Sequence, residues 1–166
     1  ASEVNTAIDL ANRHPNIKRI IAGNETQLHG TVRPAELYEV LDHLRRRVRV
    51  PVSTAEPWHV WLKQPELAKH VDFITVHLLP YWEGVSVDAA LDHAFARLRD
   101  VQQRFPNKRI VIGEIGWPSG GDNVKDAVAS PDNQARFVRG FLARARSEGV
   151  SDYYLMEAVD QPWKRQ

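Results

Sequence analysis

The chain has 166 residues, 43% hydrophobic and 26% charged, with 22 basic residues against 21 acidic ones and a net charge of +1. That length and mixture fit one globular domain, and the charge balance leaves no electrostatic case for a nucleic-acid or anionic-membrane partner. Cysteine is absent, which excludes disulfides, thiolate metal sites and a thiol nucleophile, and no run of about 18 apolar residues offers a membrane span.

The opening residues, "ASEVNTAIDLANRHP", carry apolar side chains at helical spacing and read as neither a signal peptide nor a span. A first strand follows in "IKRIIAGNE" (17–25), then a helix over about 34–46 that starts at Pro34. The basic run "RRRVR" (45–49) reads as the solvated end of that helix. A second strand, "RVRVPVSTAE" (47–56), leads into a shorter helix over about 57–69. The third strand is "VDFITVHLLPYW" (71–82). The helix after it, 88–105, is marked by Leu91, Phe95, Leu98, Val101 and Phe105 at steps of three and four. A fourth strand, "KRIVIGEIGW" (108–117), precedes a helix over 131–148, with Ser130 as N-cap, Pro131 at the first helical position and Gly149 as the stop. The last strand is "DYYLMEAVD" (152–160).

Strands alternating with helices of this length imply crossover connections and a parallel α/β sheet. The first four strands are rich in Val and Ile with little alternation, which predicts burial on both faces. A doubly wound sheet and a β/α barrel both satisfy the pattern. No "GxGxxG" or "GxxxxGK[ST]" occurs, so no nucleotide cofactor is called for. The seven histidines include no "HExxH", so neither is a metal.

Four of the five strands carry a glutamate near the C-terminal edge: Glu25, Glu56, Glu114 and Glu157. The third ends instead in His77, Tyr81, Trp82 and Glu83. In parallel α/β folds that edge is where active sites are built. A bare buried carboxylate is costly, so a glutamate at the end of an apolar run needs water, a partner or a ligand. Glycoside hydrolysis uses two carboxyls with separate roles, one donating a proton to the leaving oxygen and one attacking or activating water. Aromatic rings suit the apolar faces of sugars, and of five tryptophans Trp82, Trp117 and Trp163 fall at or beyond strand ends.

The motifs "AGNE", "HLLPYW" and "GEIGWPS", in this order, resemble glycoside hydrolase family 17, which contains β-1,3-glucanases and β-1,3-glucanosyltransferases. The terminal "YYLMEAVDQPWK" resembles the bacterial branch of that family. The resemblance implies a retaining enzyme on an eight-stranded β/α (TIM-like) barrel. Glu25 would be the general acid/base and Glu114 the nucleophile, with Asn24 bonding the 2-hydroxyl of the cleaved sugar. Tyr81 would sit against the nucleophile or that sugar. Trp82, Trp117 and Trp163 would border the cleft, and His77, Glu56 and Glu157 would complete substrate binding. His77 and Leu79 stand where plant members have Asn and Tyr. The implied partner is a β-glucan oligosaccharide or polysaccharide, and the implied location is periplasmic or extracytoplasmic, tethered to a bacterial membrane protein. Residues 1–166 would then form a single partial barrel domain holding barrel strands four to eight. Five strands do not close an eight-stranded barrel, so a non-catalytic partial barrel that binds glucan weakly or self-associates through open strand edges is the alternative.

Overall fold

The computed structural model describes residues 2–159 and 161. In chain order the elements are α1 (Ser2–Arg13), β1 (Ile20–Asn24), α2 (Pro34–Arg47), β2 (Val52–Pro57), α3 (Trp58–Lys63), a 3-10 turn (Pro65–His70), β3 (Ile74–Leu78), α4 (Val87–Arg104), β4 (Ile110–Ile115), α5 (Pro131–Ser147) and β5 (Tyr153–Leu155). The five strands are parallel and lie in the order β1-β2-β3-β4-β5. This is the β/α-barrel type of arrangement, with five strands present. The strands divide between two compact units, one running to Val76 and including Val101–Val111, the other formed by His77–Asp100 and the chain from Ile112.

In the first unit, Leu37, Leu41 and Leu44 of α2 are buried at helical spacing, the stripe expected of a helix laid on a sheet. Trp61 is fully buried and its indole N–H donates to the Thr75 carbonyl at 2.9 Å. Its ring meets Phe105 edge-on, with centroids 6.5 Å apart. Asp72 ties the strand ends, accepting from the Val52 N–H at 2.9 Å and from Arg45 Nε at 2.8 Å. The helix expected over 57–69 is divided. Gln64 leaves helical geometry at φ −120° and ψ 64°, and the next residue is Pro65, whose ring disfavours a helical residue before it and which has no N–H to donate.

In the second unit, Phe95 of α4 packs on Phe141 of α5 with ring centroids 5.9 Å apart, and Phe141 meets Tyr153 of β5 at 4.9 Å. Ser130 caps α5 by accepting from the Asn133 N–H at 3.1 Å, and Pro131 takes the first turn. Gly149 follows the helix at φ +71°, a conformation that costs glycine little.

Burial on both faces holds for β2 and β3, where every residue from Val52 to Glu56 and from Ile74 to Leu78 is buried. It does not hold for β1, where Ile21 is 38% exposed. Among the described residues β1 pairs only with β2, at the edge of the sheet.

Candidate active site

Each unit carries part of the predicted site at the C-terminal ends of its strands. In the first unit, β1 delivers Asn24 and Glu25. Pairing with β2 runs from Ile20 opposite Val52 to Asn24 opposite Ala55, with an irregularity between Ile21 and Asn24. The backbone there passes through left-handed geometry twice, at Gly23 (φ +89°) and Glu25 (φ +53°). For a non-glycine residue that conformation costs on the order of 1–3 kcal/mol and lasts only where surrounding structure enforces it. The Glu25 N–H donates to the Ala55 carbonyl at 2.8 Å, holding the turn to β2. The Glu25 side chain is 18% exposed, with an oxygen 3.3 Å from His29 Nε2. Asn24 is exposed.

Glu56 lies elsewhere than in an open cleft. It is fully buried at the end of β2. One carboxylate oxygen accepts from the Gln27 N–H at 2.8 Å and the Thr26 hydroxyl at 3.2 Å, and the other from the Leu28 N–H at 3.1 Å. Both oxygens therefore serve the turn that follows Glu25, where the sequence reading had them on sugar hydroxyls.

In the second unit, His77 near the end of β3 is 2% exposed, and its Nδ1 lies 3.7 Å from a carboxylate oxygen of Glu114 on β4. The Glu114 side chain is 27% exposed, so a strand-fixed carboxylate reaches solvent at the sheet's edge. Two residues on, Gly116 opens a cavity of about 300 Å³ lined among others by Tyr81, Trp82, Trp117, Gln134 and Glu157. Trp82 is 47% exposed, whereas Trp117 is buried though it lines the cavity. The Trp117 indole N–H donates to the Val128 carbonyl at 2.9 Å. Tyr81 meets both tryptophans edge-on, at 5.2 and 5.4 Å between centroids. Its hydroxyl donates to the Asp122 carbonyl, and burial, with the nearby Asp122 charge, raises its pKa above the usual phenol value. Gln161 Nε2 donates to a Glu157 oxygen at the rim.

Tyr81, Trp82, Trp117 and Glu157 are thus brought together, while Trp163 lies outside the described residues. Sequence reading missed Gln134, Met156 and the segment 118–121, which also line the cavity. The opening "SPDNQ" of α5 announces a helix cap, and nothing in a cap signals that the following glutamine faces a cavity. His93 on α4 pairs with Glu83 at 2.8 Å beside the aromatic cluster.

The BtgE/BtgC glycoside hydrolase domain matches residues 1–166. A probable glucan endo-1,3-beta-glucosidase btgC of Aspergillus terreus is 29% identical over 95% of this chain and 27% of its own length. A glucan 1,3-beta-glucosidase of Schizosaccharomyces pombe is 27% identical over 90% of this chain and 50% of its own. The chain therefore spans about a quarter to a half of these relatives. A crystal structure of a glycoside hydrolase family 17 beta-1,3-glucanosyltransferase from Rhizomucor miehei superposes with a TM-score of 0.88 at 28% identity, covering 98% of this chain and 62% of that one. An active-site mutant of that transferase, in complex with laminaritriose, superposes equally well.

Proposed function

The chain belongs to the BtgE/BtgC glycoside hydrolase family, and from that premise we propose that it acts on β-1,3-glucan as a retaining glycosidase or transglycosylase. The observation that carries the reading is Glu114: a carboxylate fixed on a strand, beside a buried histidine, two residues before the glycine that lines an aromatic cavity. In the proposed reaction a Glu114 oxygen attacks the anomeric carbon and the glycosidic C–O bond breaks. Glu25 gives its proton to the departing oxygen. The Glu25 carboxylate then takes a proton from water or from an acceptor sugar hydroxyl, whose oxygen displaces Glu114.

Holding the nucleophile on a strand suits this chemistry, because a near-attack geometry supplies much of the rate. Trp82, with its exposed ring, offers a face to a sugar, and Glu157 with Gln161 offers hydroxyl partners at the rim. Asn24, exposed next to Glu25, is assigned to the 2-hydroxyl. The likeness of "YYLMEAVDQPWK" to the bacterial branch carries the further proposal that the domain works outside the cytoplasm, attached to a membrane protein.

Incubation with laminari-oligosaccharides, with product sizes and anomeric configuration followed by NMR, tests the proposal. Retained β products, shorter or longer than the substrate, support it. Inverted products, or turnover only of other linkages, contradict it.

A further inference from the structure

We infer that Glu56 is a positioning residue that holds Glu25 in its working geometry; the inference rests on the reading of Glu25 as acid/base. Glu56 has no exposed surface, so no sugar hydroxyl reaches it. Its three bonds go to consecutive residues, Thr26, Gln27 and Leu28, immediately after Glu25. Glu25 itself sits at φ +53° and donates its N–H to Ala55, the residue before Glu56. The end of β2 therefore grips the chain on both sides of the Glu25 Cα, from Ala55 on one flank and from Glu56 on the other. A turn so held keeps an unfavourable backbone conformation and fixes where the Glu25 carboxyl points.

The chemistry at position 56 is specific. A carboxylate accepts on both oxygens, whereas a carboxamide accepts on one and donates from the other. Glu56→Gln would set an amide N–H against one of the donors it now receives, and the turn would shift. Misplacement of a catalytic group by about 1 Å costs on the order of 100-fold in rate.

The test compares two substrates in the full-length chain. Laminaritetraose has a poor leaving group and needs proton donation, while a dinitrophenyl β-laminaribioside has a good one and needs none in the first step. Glu56→Gln should lower kcat/KM at least about 10-fold on laminaritetraose and by less than about 3-fold on the aryl glycoside. Thr26→Val, which removes one of the three donors, should give the same split in smaller measure. Equal loss on both substrates, or no loss on either, overturns the inference. Glu25→Gln is run beside it. If Glu25→Gln shows the split and Glu56→Gln does not, the positioning role alone falls. If Glu25→Gln shows no split, the acid/base reading falls and the inference with it. Should Glu56→Gln fail to fold, Thr26→Val decides by the same criterion.

Discussion

Gly116 faces the carbonyl of Met156 so closely that a Cβ at position 116 would lie 1.8 Å from the carbonyl oxygen. The approach belongs to the β4–β5 ladder, which continues past the strand end through the Met156 N–H donating to Ile115 at 2.9 Å. The second glycine of "GEIGW" is therefore set by its neighbour strand. Gly116→Ala must push backbone against backbone, and overpacking of this kind costs about 1–3 kcal/mol or more. A lowered urea midpoint at unchanged slope, with loss of glucan binding at the displaced cavity wall, is the expected outcome.

Tyr81 bridges the aromatic cluster to the segment after Trp117 through its bond to the Asp122 carbonyl. Tyr81→Phe should cost about 1 kcal/mol, the net worth of one hydrogen bond. Faster amide exchange should be confined to residues near 118–129. The sign of the pH effect follows from burial. Folding holds the phenol neutral and raises its pKa, so the protonated form binds more tightly to the folded state. That contribution is complete below the unfolded pKa of about 10 and is lost as pH rises through the folded value. Denaturation midpoints from about pH 8 to 11 should therefore fall less steeply for Tyr81→Phe than for the parent chain.

His77 supplies the buried polar neighbour of Glu114, 3.7 Å away. His77→Phe fills similar space without a polar atom. It should slow glycosyl-enzyme formation about 10-fold, in the range of losing one polar contact to a reacting group, while leaving the Kd for laminaritriose within about threefold. Equal loss in both would assign His77 to binding instead.

Ser130 caps α5 through the Asn133 N–H at 3.1 Å. Ser130→Ala should cost about 1 kcal/mol, visible as a lower Tm with unchanged glucan binding.

These cases show what the sequence made legible. The cap at Ser130, the stop at Gly149 and the alternation of strands with helices follow from local chemistry and periodicity, which a single chain displays. The division of the 57–69 helix is also written there, in Pro65, which disfavours a helical residue before it. The exposure of β1 was not legible, because Val and Ile content reports strand propensity and says nothing of how many neighbours a strand has. At the site, an acid at a strand end was readable as a feature but its partners were not. Glu56 and Glu114 occupy similar positions in sequence, yet Glu56 is closed off by Thr26, Gln27 and Leu28, some 28 to 30 residues away in the chain, while Glu114 reaches solvent. Only the course of the turn after Glu25 separates the two.

The central claim is that Glu114 is the nucleophile. Its most direct test is trapping with a 2-deoxy-2-fluoro β-laminaribioside carrying a good leaving group, which slows the second step and lets the covalent glycosyl-enzyme accumulate. Digestion and mass spectrometry of the trapped full-length chain should place one fluorosugar on Glu114, and Glu114→Ala should show none. A label on any other carboxylate, or turnover without any trapped species, would contradict the account.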